Sequence, residues 1–306
     1  MKNKITLLIM CLLFVGASFA QQKRTCHAME NLESRMAADP GLKQRMTEIE
    51  TFTQKRVMEI QNQQSKVEGS IITIPVVVHV LYKTSQENIS VAQIQSQIDV
   101  LNEDFRRTNS DKTNKWPQAA DSQIEFKLAT IDPNGNPTTG ITRKSTNKTQ
   151  WGTNDAMKKA SQGGVNPWNT AEYLNMWVCN IGGGILGYAQ FPGGSVATDG
   201  VVMGFQYFGS KDKGSGFYLA NQFDKGRTTT HEVGHFLNLR HIWGDGDCSA
   251  DDFVTDTPNA SGSNSGCNTK TICESEDMIQ NYMDYTDDAC MNLFTVGQKI
   301  EFVLFY

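Results

Sequence analysis

Residues 231–241 read HEVGHFLNLRH and hold three of the five histidines in the 306-residue chain. On a helix, His231 and His235 lie one turn apart on the same face, so both imidazoles can bind one ion. Glu232 then projects beside that ion, where its carboxylate can take a proton from an attacking water molecule. The spacing predicts a catalytic zinc site, because neutral imidazoles with an open coordination position suit zinc.

The third histidine of the motif, His241, lies six residues after His235 and falls outside a single helical face. The longer form of this motif has glycine at the position of Asn238. Asparagine is the next best residue for the left-handed conformation that such a helix end needs. We therefore predict that the helix ends at Asn238 and that His241 completes the zinc ligands. The competing interpretation is an amphipathic helix with surface histidines.

The composition is typical of a soluble globular protein, with 39% hydrophobic and 20% charged residues. The length allows one large domain or two small ones, with enough chain to bury a core. The formal net charge is −5, and the sequence has no basic patch. We therefore expect no nucleic-acid partner.

The N-terminus has the pattern of a targeting segment. Two lysines precede an apolar run over residues 5–15, and small residues fit signal-peptidase cleavage after Ala20. We predict a signal peptide at residues 1–20. The apolar run is short for a membrane span, and Cys11 lies inside it, which argues against a lipoprotein. The prediction is a secreted protein without stable membrane insertion.

Export affects how the cysteines are interpreted, because disulfides persist in oxidising compartments. Four cysteines cluster in a polar stretch after the zinc motif, and spacing alone leaves their three pairings open. These are Cys248, Cys267, Cys273 and Cys290. Cys179 lies in a predicted buried strand, where a free thiol behaves as a small hydrophobe. Cys26 stands alone near the mature N-terminus, and a Cys26–Cys179 bond is the alternative that makes the count even.

Helical spacing of apolar residues predicts helices over residues 21–70. Ser90, with Gln93 in the capping-box position, opens another predicted helix. Helices and strands mix through residues 71–225, which predicts an α+β protein. The predicted strands are residues 71–82, 124–128, 173–180 and 201–205, with a further helix near 154–161. The zinc helix precedes an irregular region that extends to about residue 290.

From Cys26 to about Gly297, the chain resembles the pappalysin family of metzincin metallopeptidases. Residues 281–285 read NYMDY and match the Met-turn, whose methionine packs beneath the zinc ligands. The other segments that resemble the family are residues 24–30 (RTCHAME), 186–192 (LGYAQFP), 244–248 (GDGDC) and 256–258 (DTP). Each match is weak alone, but together their order and spacing are specific.

The resemblance implies a metzincin-type α+β fold. In this fold a mixed twisted sheet has a backing helix, and the active-site helix lies above an irregular C-terminal subdomain. The resemblance also implies that His231, His235 and His241 bind zinc and that Glu232 is the general base of peptide hydrolysis. No covalent acyl-enzyme is then required.

Two further sets of residues take roles from the resemblance. Tyr285 follows the Met-turn residue Met283 by two positions and is implied to hydrogen-bond the tetrahedral intermediate. The alternative is an ordinary core tyrosine. The implied disulfides are Cys248–Cys273 and Cys267–Cys290.

Cys26 is the candidate latency residue, because a thiolate is an excellent zinc ligand and can occupy the open position. The resemblance supports this role over that of an idle or paired thiol. The predicted organisation is a pro-segment at residues 21–60, with its end between 56 and 70, and a catalytic domain at 61–306. Residues 55–56 (KR) are a candidate activation site, although such a pair is usually just solvated.

A turn-rich loop after the zinc motif carries five aspartates within twelve residues. Hard carboxylate oxygens with nearby glycines suit calcium, and several members of the family depend on calcium. The alternative is a solvated acidic loop. The aspartates are Asp245, Asp247, Asp251, Asp252 and Asp256, of which Asp245, Asp247, Asp252 and Asp256 are the candidate ligands.

Together these features predict a secreted zinc endopeptidase, made as a zymogen, that acts on proteins or peptides. Ala289 takes the position where some pappalysins carry the aspartate that selects a basic residue after the scissile bond. This argues against arginine preference unless Asp287 or Asp288 substitutes. A peptidase with one narrow protein substrate is the runner-up. A non-catalytic, zinc-bound extracellular binding or adhesion protein is the alternative, which Glu232 disfavours because a structural site needs no base.

Overall fold

The computed structural model describes residues 23–62 and 71–305, so the predicted signal peptide lies outside the described residues. No helix within these two ranges is both long and apolar enough to cross a bilayer. The α-helices described, numbered in chain order, are α1 (Ala28–Ala38), α2 (Leu42–Asn62), α3 (Val91–Phe105), α4 (Arg227–Phe236) and α5 (Val296–Phe305). The strands described are β1 (Ile72–Tyr82), β2 (Ala119–Ala120), β3 (Ile124–Leu128), β4 (Ile141–Ser145), β5 (Leu174–Cys179), β6 (Gly187–Ala189), β7 (Val201–Gly204) and β8 (Phe294–Thr295).

The main sheet has the strand order β3-β1-β5-β7-β6, with β4 paired to the second half of β1. Its pairs are parallel except for β6, which runs antiparallel to β7 at the edge. Strand β1 is almost entirely apolar, as expected of a strand buried on both faces. The mixed sheet and its helices confirm the predicted α+β class.

Helices α3 and α4 pack together beneath the sheet and share one hydrophobic core with it. Ser90 caps α3 as predicted, because its hydroxyl accepts a hydrogen bond from the Gln93 N–H at 3.0 Å. A second buried cluster covers the opposite face of the sheet and contains Trp177, Cys179 and Tyr188. The sheet therefore lies between two apolar layers.

The helix predicted near residues 154–161 is instead two short 3-10 turns, Ala156–Lys158 and Ala160–Gln162. Asp155 precedes them with a left-handed φ of 59°. Between the two turns, Lys159 has extended backbone angles, so the helix cannot continue through it. The prediction of an α-helix here is wrong because the buried Lys158 and its partners decide the local conformation.

The region after α4 has little regular structure and is crosslinked by two disulfides. The bonds join Cys248 to Cys273 and Cys267 to Cys290, the pairs that the resemblance implies. Helices α1 and α2 lie outside this body, where α1 contacts β6 and α2 contacts α5. Helix α1 therefore covers part of strand β6, which packs on α4.

Candidate metal centre

Helix α4 carries the first two histidines of the motif, and Asn238 terminates it. Asn238 has a left-handed φ of 77°. Its N–H donates to the carbonyl of His235 at 3.0 Å, and the next N–H, from Leu239, donates to the carbonyl of Gly234 at 2.9 Å. This is a Schellman motif with asparagine in the usual place of glycine. The prediction that Asn238 ends the helix is confirmed, and the turn brings His241 back to the helix.

The three imidazoles converge through their Nε2 atoms. Nε2 of His235 lies 3.1 Å from Nε2 of both His231 and His241. The Nδ1 partners are the Tyr282 carbonyl for His231 (2.7 Å), the Leu239 carbonyl for His235 (2.7 Å) and the Asp245 carboxylate for His241 (2.5 Å). Since these oxygens accept hydrogen bonds, each ring carries a proton on Nδ1 and its Nε2 presents a lone pair.

Three converging lone pairs repel one another unless a cation lies between them. Burial, followed by the neighbouring imidazoles, lowers the pKa of His231 and His235 well below its usual value. These two rings are therefore neutral at neutral pH. Together with His241 and Cys26, they form the one group of three or more His, Cys, Asp or Glu side chains, within the described residues, whose ligand atoms all lie within 4.8 Å. The residues present fit a tetrahedral zinc ion.

Glu232 is completely buried beside this cluster, directly under the edge strand β6. A Cβ on Gly187 would lie 3.0 Å from Cγ of Glu232, so glycine allows the strand to pass close over the side chain. Oε1 of Glu232 has no hydrogen-bond partner, whereas Oε2 faces the Cys26 sulfur at 3.5 Å. Burial raises the pKa of Glu232 to about 8, although the Cys26 hydrogen bond lowers it. An unpartnered carboxylate oxygen here is available to accept a proton.

A segment from the N-terminal part of the chain, residues 23–27, crosses this site. It pairs with the β6 edge in the parallel direction. The Leu186 N–H donates to the Thr25 carbonyl at 3.0 Å, and the His27 N–H donates to the Gly187 carbonyl at 3.2 Å. The segment thus takes the backbone partners that another extended chain would need at this edge.

The Cys26 thiol is buried at the centre of the segment and faces Glu232. Burial, followed by the charge of Glu232, raises the pKa of this thiol well above its usual value. A divalent cation among the imidazoles acts in the opposite sense, because it stabilises the thiolate. Cys26 and Cys179 are both free, so the alternative disulfide between them is wrong.

Arg24, two residues before Cys26, fills a buried pocket beside α4. Its Nη2 lies 2.6 Å from Oδ1 of Asp288, and both side chains are 1% exposed. Its Nη1 donates to the Thr228 hydroxyl at 2.8 Å, and the guanidinium lies 4.9 Å from the centre of the Phe223 ring. Asp288, and not Ala289, is therefore the residue that recognises a guanidinium here.

Two residues of the segment NYMDY contact the site. The Tyr285 hydroxyl donates to the Cys26 carbonyl at 3.3 Å, and its ring centre is 4.9 Å from that of His241. Met283 packs against α4 from the other side, where a Cβ on Gly234 would clash with its sulfur. Tyr285 therefore faces the centre, and Met283 lies beneath the histidine-bearing helix.

The aspartates predicted as calcium ligands do not come together into one group. Asp245 orients His241 instead. Asp247 is exposed and accepts hydrogen bonds from Ser249. Asp251 accepts from the Phe253 N–H, and Asp252 accepts from the Val254 N–H and the Thr257 hydroxyl. Asp256 accepts from the Thr295 hydroxyl and the Gly297 N–H.

The sequence reasoning missed a buried network that joins the Met-turn to two helices. Asp104 of α3 accepts hydrogen bonds from the Tyr282 and Thr230 hydroxyls, each at 2.7 Å, and pairs with Arg227 at 3.3 Å. Burial raises the pKa of Asp104. The available signal was a carboxylate immediately beside Phe105, at the end of the apolar stripe of α3. The network supports the backbone that orients His231, because Tyr282 supplies its carbonyl partner.

Comparisons with known proteins agree with this geometry. The sequence model of the Peptidase M43 family, described as pregnancy-associated plasma protein-A, matches residues 158–304. An extracellular metalloprotease of Arthroderma benhamiae is 33% identical over 234 residues, which cover 74% of this chain and 74% of the relative. An extracellular metalloprotease of Pyricularia oryzae is 33% identical over 242 residues, covering 75% and 73%.

Solved structures give the same result. A promirolysin mutant of Tannerella forsythia is 47% identical, with a TM-score of 0.80, and covers 92% of this chain and 93% of its own. Mature mirolysin with a cleaved peptide is 51% identical, with a TM-score of 0.73, covering 76% and 91%. From these likenesses and from the geometry of its histidines, the chain belongs to the pappalysin family of metzincin zinc metallopeptidases.

Proposed function

We propose that this chain is the latent precursor of a secreted zinc endopeptidase that cleaves proteins or peptides. His231, His235 and His241 hold the zinc ion, and Glu232 is the general base. The observation that carries the proposal is the position of residues 23–27, which cross the site with a thiol facing the imidazoles and the unpartnered carboxylate. A chain that blocks its own centre in this way is organised as a zymogen.

His231, His235 and His241 would hold the zinc ion, which would supply Lewis-acid chemistry by lowering the pKa of a water molecule and polarising the substrate carbonyl. Glu232 takes the proton of the attacking water through its free Oε1 and passes it to the leaving amine. Tyr285 donates to the carbonyl oxygen of the substrate once Cys26, its present acceptor, has left.

Cys26 would occupy the open zinc position in the latent precursor, with residues 21–60 as the pro-segment and 61–306 as the catalytic domain. The end of the pro-segment, predicted between residues 56 and 70, lies partly outside the described residues. The candidate activation site at 55–56 lies inside α2, where Arg56 pairs with Glu59 at 2.6 Å. Cleavage there requires local unwinding of α2, so the C-terminal end of the segment is the expected first point of attack.

The substrate adds as an extended strand to the β6 edge, the edge that the pro-segment occupies in the precursor. The Arg24 pocket supports a preference for a basic residue after the scissile bond. Asp288 there is buried and already binds a guanidinium. It lies two positions before Cys290, close to where some relatives carry the aspartate with this role. Mature mirolysin has been solved with a cleaved peptide, which supports peptide substrates.

The decisive experiment compares the processed protein with its Glu232→Ala variant on a peptide library. Cleavage by the first and none by the second is expected, because the variant keeps the imidazoles and lacks the base. The cleavage sites then separate broad degradation from the runner-up, a narrow specificity for one protein. If the processed, zinc-loaded protein cleaves no peptide, the result supports the alternative of a non-catalytic binding or adhesion protein.

We also propose that calcium stabilises the C-terminal region. Asn264 bridges the buried carboxylates of Asp277 and Asp284 through its Nδ2, at 3.1 and 2.9 Å. Oδ1 of Asp277 and Oδ1 of Asn264 are buried without partners. Burial raises the pKa of Asp284, and the charge of Asp277 adds to the rise. A hard cation relieves this repulsion and satisfies both oxygens.

Thermal melting in millimolar calcium tests the calcium proposal. The wild type should melt at a higher temperature with calcium, and Asp277→Asn should lose that shift. A shift that is retained in Asp277→Asn and lost in Asp252→Asn assigns the ion to the loop that the sequence predicted. A melting temperature that calcium does not move contradicts both sites.

Secretion is supported by the relatives, which are named extracellular metalloproteases. The predicted signal peptide at residues 1–20 and the two disulfides agree with an oxidising destination. Mass spectrometry of the exported protein should give an N-terminus at residue 21 or later.

A further inference from the structure

A second acidic pocket lies beside the edge strand β6, and Arg35 of α1 occupies it. Nη2 of Arg35 is 2.5 Å from Oδ2 of Asp155, and Nη1 donates to the Thr198 hydroxyl at 2.8 Å. Nε donates to Asn31 of the same helix at 2.6 Å. Asp155 and Thr198 are each 7% exposed with Arg35 in place. The pocket is thus built around a guanidinium.

The charges of this pocket balance only while Arg35 is present. Lys158 is completely buried and lies 3.1 Å from Oδ1 of Asp155. Burial raises the pKa of the nearby Asp199 to about 6, although the charge of Lys158 lowers it. Two acids therefore face two bases. Departure of Arg35 leaves two acids with one buried base, which is an uncompensated negative charge.

Strand β6 connects the pocket to the catalytic residues. Gly187 lies over Glu232 at one end of the strand. Tyr188 donates to Asp155 at 3.2 Å, and Gln190, one residue past the end of β6, accepts from the Thr198 hydroxyl at 2.7 Å. Three residues of extended strand cover about 10 Å. A substrate lying along β6 can therefore reach the pocket with a residue close to its scissile bond.

Along the N-terminal segment, the Asp288 pocket comes before the centre and the second pocket comes after it. The N-terminal segment runs through the site with Arg24 in the Asp288 pocket, Cys26 at the imidazoles, and Arg35 in the second pocket. A basic side chain thus enters an acidic pocket on each side of Cys26. If the Asp288 pocket takes the residue after the scissile bond, the second pocket faces residues before that bond.

We propose that Asp155 and Thr198 form, once the pro-segment has left, a subsite for a basic side chain two to four residues before the scissile bond. This inference rests on the proposed function, because it takes the Asp288 pocket as the site for the residue after that bond. An arginine of the substrate restores the charge balance that Arg35 maintained. It also reproduces the hydrogen bond to Thr198, which favours arginine over lysine.

The test uses the processed enzyme and quenched fluorescent peptides with arginine fixed after the scissile bond. Arginine or its neutral isostere citrulline is placed two, three or four residues before that bond, and kcat/KM is measured. At one of these positions, arginine should exceed citrulline by about 10-fold or more, as expected for a desolvated charge pair. The ratio should fall to about one in Asp155→Asn.

Thr198→Val is the second variant, because it removes the hydroxyl and leaves every charge of the pocket in place. Thr198→Val should reduce the preference for arginine over lysine. Because Asp155 is unchanged in this variant, the result does not depend on whether Asp155→Asn folds. Glu172→Gln, an exposed acid elsewhere, is the matched control and should keep the wild-type ratio. An arginine-to-citrulline ratio of one at all three positions overturns the subsite and leaves the peptidase intact. Absence of all cleavage overturns the proposed function and the subsite together.

Discussion

The carboxylate of Asp245 accepts a hydrogen bond from Nδ1 of His241 at 2.5 Å, while Trp243 stacks on the face of the same imidazole. This contact fixes which nitrogen of His241 faces the metal and increases its basicity. Asp245 therefore orients a histidine of the metal centre through its Oδ1.

Replacement of Asp245 by alanine should weaken zinc binding about 10- to 100-fold, because His241 loses the partner that orients it. Competition with a chromophoric chelator measures the change. Asp247→Ala is the control, since Asp247 lies two residues away on the exposed part of the loop. Equal zinc affinities in the two variants contradict the orienting role.

Cys26→Ala should produce a precursor that cleaves peptides before processing, because no thiolate then blocks the open position. Intact mass must show that the segment is still attached. Cys179→Ala removes the other free thiol and should remain latent. An unprocessed Cys26→Ala protein that stays silent rejects the thiol as the latency device.

Asp288→Asn should abolish the preference for arginine over citrulline after the scissile bond. Loss of a buried charge pair corresponds to roughly a 100-fold decrease in kcat/KM for the arginine peptide. Asparagine keeps an oxygen for the Lys225 and Arg227 N–H groups that Asp288 accepts, so the pocket should survive. If the variant retains the wild-type ratio, another residue determines the basic preference.

Gly234→Ala should destabilise the protein, although alanine is the better helix former. The gain in helix propensity is at most about 1 kcal/mol, whereas overpacking against the buried Met283 costs about 1–3 kcal/mol. Thermal melting of apo and zinc-loaded protein measures the balance. Gly152→Ala, where a Cβ meets nothing within 4 Å, should leave the melting temperature unchanged.

Glu301 on α5 should make the stability of the precursor depend on pH. Burial raises its pKa to about 8, and the charge of Glu50 on α2 adds to the rise. The folded state thus binds the proton of Glu301 more tightly than the unfolded state does. The contribution of this proton to the free energy of unfolding is complete below about pH 4.5 and is lost as the pH rises through 8. As the pH rises through this window, the free energy of unfolding of Glu301→Gln should therefore increase relative to that of the wild type by at most about 1.4 kcal/mol per pH unit.

Denaturant unfolding from pH 5 to 9 checks this dependence, with both proteins in a Glu232→Ala background to prevent self-cleavage. A constant difference in unfolding free energy across that range excludes Glu301 as its source. The same comparison after removal of the pro-segment should give a smaller dependence, because Glu50 is then absent.

The zinc helix and its end were predictable because their determinants are local. Spacing positions His231 and His235, and the left-handed tolerance of Asn238 ends the helix. The apolar runs of β1 and β5 were equally clear. Short-range periodicity, however, wrongly predicted an α-helix near residues 154–161. The structure has two 3-10 turns there, because Lys158 is buried.

The arginine pockets were not predictable from patterns, because their partners are far apart in the chain. Arg24 and Asp288 are 264 residues apart, and Arg35 and Asp155 are 120 apart. Each arginine alone is typical of a solvated helix or loop. Only the fold shows that each enters a buried acid, and the same holds for Asp245, whose role depends on the turn before His241.

The parallel pairing of residues 23–27 with β6 has a consequence for the life of the protein before activation. An unpaired strand at the edge of a sheet is a template on which other chains can assemble into aggregates. Residues 23–27 cover that edge of the sheet in this structure. The proposed pro-segment therefore also covers a strand edge on which copies of the protein could pair, and its removal exposes that edge.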